Sequence, residues 1–391
     1  MKAGWEAKLL GDVLEVQNGY AFDSKNFNPS NGKPLIRIRS LKEGIETETF
    51  FDGIYDDKYL VNACDLLIGM DGEFGCYEWK GPASLLNQRV CRLQGFDAKL
   101  LPKFLFYGVN SYLKAIEDVT GFTTVKHLSS KQILNIKFPL PPLPEQHRIV
   151  AILDAAFDHI ATARANCEAN LLNARAIFES HLQAVFTQRG DGWERTTLGK
   201  ATGGIFTGPF GSLLHKSDYV PNGIPLVNPA HITEVGIEPD FLKTVSKETA
   251  TRLKSYIMRT GDIVIGRRGE MGRCALVTEV EDGWVCGTGS FYIKPSSRCE
   301  TRYLVRFLRS DGCKARLESI AGGTVMPNLS NTALSNLPID LPSPEKQAAI
   351  VDGIDELHVE TLRLASLYQR KLQTLDDLKK SLLHQAFSGL L

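Results

Sequence analysis

One glycine-rich element occurs twice in the chain. Gly69-Met70-Asp71-Gly72-Glu73-Phe74-Gly75 returns as Gly266-Arg267-Arg268-Gly269-Glu270-Met271-Gly272, each time directly after an apolar run that reads as a strand. Glycines at this density serve a turn that needs positive φ or close backbone approach. Such a turn also presents its variable residues to a ligand: Arg267 and Arg268 carry the fork that pairs with guanine edges or phosphates, and Met70 and Asp71 do not. Arg37 and Arg39, and at the matching place in the second copy Asn228 and His231, are expected to lie pairwise on one face of a strand. Gln88, Arg89, Lys126, His127, Lys216 and Arg273 complete the candidate nucleic-acid contacts. For each of these a solvated charge or a structural hydrogen bond is the commoner role.

Motifs for catalysis are missing. No G-x-x-x-x-G-K-[ST] loop is present, and the nearest fragment, Gly199-Lys200-Ala201, lacks the first glycine and the hydroxyl. There is no G-x-S-x-G elbow, and Asn228-Pro229-Ala230 is not the Asn/Asp-Pro-Pro-aromatic motif that holds a flipped adenine. Cysteines 64, 76, 91, 167, 274, 286, 299 and 313 form no C-x-x-C pair, and the histidines form no H-E-x-x-H. The expectation is reduced, mostly buried thiols, no metal site and no catalytic residue. His159 and His358 read as surface or seam residues of helices.

The elements that position these residues must come from 391 residues, 43% hydrophobic and 9% aromatic, enough for two to four domains with cores of their own. That composition excludes a disordered tail, a collagen-like chain and a mini-protein needing staples. No apolar run reaches the roughly 18 residues of a membrane span, and MKAGWEAKLL lacks a signal peptide's apolar stretch, so a cytosolic, cytoplasmic protein is expected. Lys+Arg 45 balance Asp+Glu 45. By segment, residues 1–143 carry 17 basic and 17 acidic side chains, 144–188 carry 3 and 5, 189–343 carry 19 and 16, and 344–391 carry 6 and 7. No segment is strongly basic, so affinity for phosphates must come from a local face or from a partner.

The duplication extends far beyond the glycine turns. Gly4-Trp5-Glu6 returns as Gly192-Trp193-Glu194, and Asn31-Gly32-Lys33-Pro34-Leu35 as Asn222-Gly223-Ile224-Pro225-Leu226. From Leu128-Ser129 against Leu329-Ser330 through Phe186 against Phe387 the offset stays constant, which marks a part whose length matters. The first part of each unit, residues 1–143 and 189–343, mixes short β-rich runs (35–38, 66–68, 263–265, 291–293) with one helical segment, 103–116 and 301–317. This reads as an α+β globule.

The second part, residues 144–188 and 344–391, reads as one long helix. Ile149, Leu153, Ala156, Ile160, Leu171, Phe178 and Leu182 recur at spacings built from three and four, as do Ile350, Ile354, Leu357, Leu364, Leu367, Leu375, Leu378 and Leu382. Pro144 and Pro344 suit a first helical turn, Ser343 an N-cap, and Gly190 and Gly389 the stops. About 42 residues at 1.5 Å each give a rod of roughly 63 Å. A 150-residue globule is only roughly 40 Å wide, too narrow to span it. The end of the first helix and the start of the second must therefore be neighbours, so the seams pair antiparallel, with the globules at opposite ends about an approximate two-fold axis. The expected fold class is α+β: two tandem globules joined by two long antiparallel helices forming a coiled-coil spacer.

This pattern resembles the specificity (S) subunits of type I restriction-modification systems, over nearly the whole chain. The residues that carry the resemblance are the Gly-Trp-Glu openings and Gly261-Asp262-Ile263-Val264-Ile265, with Cys64-Asp65-Leu66-Leu67-Ile68 in the first copy. So are the proline-rich leads into a Gln-x-x-Ile-Val helix, 139–150 and 341–351. Cys64 in place of the glycine before Asp65, and Lys346 where the first unit has Glu145, depart from the pattern. The resemblance implies a non-catalytic scaffold on double-stranded DNA. Each target-recognition globule would read one half of a split, asymmetric target, and the helices would fix the separation. It further implies two methyltransferase (M) subunits around the helices and restriction (R) subunits attached through them. S-adenosylmethionine, ATP and Mg belong to those partners, and the chain itself holds no cofactor.

Two other readings stand beside it. A pseudo-dimeric enzyme would need convergent ionisable residues in a cleft between the globules. A coiled-coil adaptor without DNA binding would lack a positive face on them.

Overall fold

Strand patterns and turn residues repeat along the chain, and so does the sheet they build. The computed structural model describes residues 4–43, 47–120, 126–188, 190–322 and 328–391. It divides into two units, Met1–Asn166 with Lys371–Leu391, and Cys167–Arg370. Among the described residues no helix is long and apolar enough to cross a membrane.

In the first unit a four-stranded antiparallel sheet runs in the order Glu15–Asn18, Val90–Gln94, Leu66–Gly69, Gly75–Glu78. The second unit repeats it as Gly204–Thr207, Ser290–Lys294, Ile263–Gly266, Cys274–Leu276. The strands Leu66–Gly69 and Ile263–Gly266 are buried throughout, so their apolar runs show no alternation. A helix, Pro102–Val119 or Thr301–Arg309, packs on the sheet edge. A parallel pair, Lys33–Ile36 with Ser84–Leu86 or Leu226–Val227 with Val285–Cys286, adjoins the sheet. The ends of each globule pair with one another, Glu6–Leu9 with Lys137–Leu140 and Glu194–Thr197 with Pro338–Leu341.

The helical segment expected over 301–317 is two helices, Thr301–Arg309 and Asp311–Ile320. Ser310 adopts an extended conformation between them, and its hydroxyl accepts from Cys313 N–H as an N-cap, which stops one helix and starts the next.

The turn before the central strand explains one departure from the family pattern. Asp65 and Asp262 each cap their own turn, accepting from Asn62 N–H at 2.9 Å and from Arg259 N–H at 2.8 Å. Between them and the strand's neighbour, Cys64 N–H donates to Trp79 O and Gly261 N–H to Val277 O. Gly261 has φ +91° and Cys64 has φ +73°, so the cysteine takes on a left-handed backbone conformation that glycine adopts without strain.

The long helices are Leu143–Thr187 and Pro344–Ser388, and each unit contains the start of one and the end of the other, antiparallel. In the first unit Ile149, Val150 and Leu153 share a core with Ala386, and the Phe387 ring lies 4.9 Å from Phe104 and 5.9 Å from Phe138. Gly108 makes room for that ring, because a Cβ there would come within 2.3 Å of it. In the second unit Phe178 and Leu182 pack with Ile354, and Phe186 sits 5.3 Å from Tyr303, in the place that Phe387 takes on Phe104. Ser343 Oγ accepts from Lys346 N–H at 3.4 Å.

Ile149, Leu153, Phe178, Leu182 and Ile354 are buried, and Ala156, Ile160, Leu171, Ile350, Leu357, Leu375 and Leu382 half-buried. Leu364, Leu367 and Leu378 are exposed and leave the seam. The inward positions there are Thr361, Ala365, Tyr368 and Leu372, continuing the three-four rhythm from Val351, Ile354 and His358. Helix phase decides which residues face inward, and Leu364 and Leu367 fall one position away from it.

Candidate functional site

Four loops of the first unit meet beside the glycine turn. Met70 N–H donates to Arg89 O at 3.0 Å, Leu128 N–H to Met70 O at 2.7 Å and Gly72 N–H to Lys126 O at 3.0 Å. Gly19 N–H donates to Val90 O at 3.0 Å. Any side chain on Gly19 would put its Cβ 2.0 Å from Asn87 O, so the loop closes only around glycine.

The second unit builds the same frame from different residues. Arg267 N–H donates to Gly289 O at 2.9 Å, Leu329 N–H to Arg267 O at 2.8 Å and Gly208 N–H to Ser290 O at 2.9 Å. Gly208 again faces a carbonyl, Gly287 O, at 2.2 Å from a Cβ. Asp71 faces His127 in an isolated antiparallel bridge, as Arg268 faces Asn328.

The side chains on this frame differ between the copies. In the first, Asp71 forms an ion pair with Arg89 Nη1 at 3.2 Å and pairs with His127 Nδ1 at 2.7 Å, while Arg89, Gln88 and His127 are exposed. Lys126 turns inward: its Nζ donates to Glu117 O at 2.8 Å beneath the turn. The Glu117 carboxylate also accepts from Phe74 N–H, and its hydrogen bond from Lys114 chiefly lowers its pKa, followed by that from Phe74. In the second, Arg267 lies on the Phe291 ring, 5.3 Å from its centre, and its Nε donates to Asn328 Oδ1 at 3.2 Å. Burial, and then the neighbouring Arg268, push its pKa down. Arg268 is exposed, and Arg273 pairs with Glu270.

Several sequence expectations need correcting. Met70 is a core residue, so its side chain is not available to a ligand. Arg37 and Arg39 do not share a strand face: the strand ends at Ile36, Arg37 follows it, and Arg39 lies on the short helix Ile38–Glu43. Asn228 and His231 likewise do not share a strand face: Asn228 caps the 3-10 turn Pro229–His231, and His231 is the last residue of that turn. Arg37 N–H donates to Ser40 Oγ, and His231 Nδ1 lies 2.9 Å from Leu226 O and 3.3 Å from Asn228 N, so both side chains serve the local turns that follow the strand and His231 serves its own. These turns still border the frame, since a Cβ on Gly69 would meet Leu41 and Ile38, and one on Gly289 would meet Pro229. Lys216 is exposed on a separate 3-10 turn, Lys216–Asp218, and no described contact joins it to the others.

Two features escaped sequence reading. One is Phe210, exposed on the loop whose Pro209 O accepts from Thr288 Oγ1. The other is the pair of buried glutamines, Gln146 and Gln347, in the Gln-x-x-Ile-Val motifs. Identical offsets around both were a usable signal. The thiols offer no nucleophile in the cores: burial pushes Cys274 up to about 11 and Cys91 to about 12.

The family model for the type I restriction modification DNA specificity domain matches residues 2–169 and 208–370. The EcoBI type I restriction enzyme specificity subunit of Escherichia coli is 27% identical over 408 aligned residues, covering 98% of this chain and 86% of that one. The MjaVIII specificity subunit of Methanocaldococcus jannaschii is 23% identical, with 98% and 92% covered. Among solved structures, a chain from a study of complex assembly and conformational transition of the type I R-M system superposes with TM-score 0.77 at 20% identity, covering 100% and 99%. The HsdS subunit from Thermoanaerobacter tengcongensis gives 0.62 at 19% identity, covering 100% and 98%. At these identities the superpositions establish the fold.

Proposed function

We propose, from the premise that this chain belongs to the type I restriction modification DNA specificity family, how it divides the labour of sequence recognition. It is the non-catalytic DNA-specificity subunit of such a system. Each globule, residues 1–143 and 189–343, reads one half of a bipartite target in double-stranded DNA, and the helices, residues 144–188 and 344–391, set the gap between the halves. Two methyltransferase subunits dock on the helices and contribute S-adenosylmethionine chemistry. Restriction subunits join through them and bring ATP and Mg, and the assembly works in the cytoplasm.

The observation that carries this reading is the repeated loop frame with unlike side chains. Equivalent backbone hydrogen bonds hold Asp71, Arg89 and His127 in one copy and Arg268, Gly289 and Asn328 in the other. Two equal frames with different polar groups suit two different half-sites, since base edges are told apart by donor and acceptor pattern. The contacts fall to Arg37, Arg39, Gln88, Arg89 and His127 in one globule and to Asn228, Arg268 and Arg273 in the other. Lys126, Lys216, Arg267 and His231 act mainly as supports or as peripheral charges.

Co-expression with the cognate methyltransferase followed by methylome sequencing tests the reading. A split, asymmetric methylated motif is expected. A continuous or palindromic motif, or methyl transfer by the purified chain alone, overturns it.

A further inference from the structure

We propose that Arg89, oriented by Asp71, reads a guanine in the half-site of the first globule; the inference rests on the DNA-reading function above. Asp71 is a carboxylate on a surface that would face phosphates, where an uncommitted negative charge repels the ligand. It is not uncommitted: Oδ2 forms an ion pair with Arg89 and Oδ1 pairs with His127. Only 19% of the Asp71 side chain is exposed, against 55% of Arg89. The carboxylate therefore serves as an anchor, and the guanidinium is the group presented.

The pair is an ion pair, closest through the terminal nitrogen Nη1, and among the described residues the guanidinium makes no hydrogen bond, so the N–H groups of its planar fork remain for a base. Guanine presents two acceptors, O6 and N7, on its major-groove edge, which that fork matches. Adenine places an amino donor at one of those points and is rejected. Pairing with Asp71 also limits the conformers of a long side chain, so less freedom is lost when the base is bound. The backbone around the pair is equally fixed, because Arg89 O and Met70 N–H are bonded in the loop frame.

The second globule lacks this pair. Arg268 stands in the place of Asp71 and Gly289 in the place of Arg89, and Arg267 is held by Phe291 and Asn328. Its half-site is read by other groups, so the two halves respond separately to substitution.

The test uses the full chain co-expressed with its methyltransferase, with methylomes read for wild type, Arg89→Ala, Arg89→Lys and Asp71→Asn. Lysine keeps the charge without the fork, and asparagine keeps the shape without the charge. In Arg89→Lys and Arg89→Ala, preference for guanine at one position of one half-site falls by about tenfold, the scale of one bidentate contact. Asp71→Asn relaxes the same position to a smaller extent, which a merely structural role would not do. Every other letter, including the whole second half-site, stays. An unchanged guanine in Arg89→Lys overturns the proposal, as does relaxation at an A·T pair, relaxation at different positions in the Arg89 and Asp71 variants, or an even loss across all letters. If the wild-type complex methylates no bipartite target, the functional reading itself has failed instead.

Discussion

Gln146 and Gln347 make the same three hydrogen bonds, each inside its own unit. The Gln146 carbonyl accepts from Leu101 N–H at 2.8 Å, and its amide donates to Lys99 O and Pro141 O, both at 2.7 Å. Gln347 accepts from Glu300 N–H at 2.8 Å and donates to Arg298 O at 2.9 Å and Pro342 O at 2.8 Å. Both side chains are fully buried, and each ties the first turn of a long helix to the start of the helix that packs on the sheet. Leucine at either place leaves two carbonyls and one N–H without partners, at roughly 1–3 kcal/mol for each group. Gln146→Leu or Gln347→Leu is therefore expected to cost about 3 kcal/mol or more, read from denaturant unfolding. A loss below about 1 kcal/mol would mean that water or a neighbour takes over these bonds.

The strained turn before the central strand gives a substitution of opposite sign. A non-glycine residue in the left-handed region costs about 1–2 kcal/mol, offset in part by the extra freedom glycine has in the unfolded chain. Cys64→Gly should stabilise the first unit by about 0.5–1 kcal/mol. Gly261→Ala should destabilise the second by a similar amount, though its Cβ meets nothing closer than Pro295 at 3.8 Å. Thermal unfolding of the two variants decides, and a Cys64→Gly protein no more stable than wild type removes the strain argument.

His358 is expected to make the second unit sensitive to acid. Its ring lies tilted against Phe178 with centres 4.7 Å apart, and its Nδ1 is buried without a hydrogen-bond partner among the described residues. Burial lowers its pKa from the usual 6.5; Arg306 and Arg309 add to this, and Asp355 and Glu234 oppose it. The folded state then binds its proton less readily than the unfolded chain, so stability is complete above 6.5 and lost as pH falls from there through the folded value. The stability of His358→Phe relative to wild type should rise as pH is lowered through that window. A constant difference across it would show that the imidazole titrates normally.

The helices invite a length test. Seven residues inserted in register between Ala169 and Asn170, and seven between Arg370 and Lys371, preserve the seam and lengthen each helix by about 10 Å. At 3.4 Å per base pair along a strand, the gap between half-sites should grow by about three base pairs with every specified letter unchanged. Changed letters with an unchanged gap, read from the methylome, would contradict a ruler.

The duplicated order of motifs made the two globules and the helices legible in the sequence, because the anchors recur in the same order and, from Leu128 to Phe186, at one constant offset. Of the residues expected in the seam, Ile149, Leu153 and Ile354, where strong hydrophobes coincide with the phase, are buried. The seam was misread where Thr361, Ala365 and Tyr368 hold the inner positions and leucines crowd the outer face. The loop frame was not legible, since it joins Met70 to Arg89 and Leu128 by backbone bonds to which side-chain identity contributes nothing. The role of the glutamines was hidden for a similar reason: their partners are main-chain groups.

The ribbons that close the globules, Glu6–Leu9 with Lys137–Leu140 and Glu194–Thr197 with Pro338–Leu341, place the incoming and outgoing chain of each side by side. Everything between those paired ends is thereby a cassette. Recombination that exchanges the cassette and keeps the ribbon hands the descendant a new reading head on an old handle, so such proteins can diversify by trading whole modules rather than by waiting for single substitutions to accumulate.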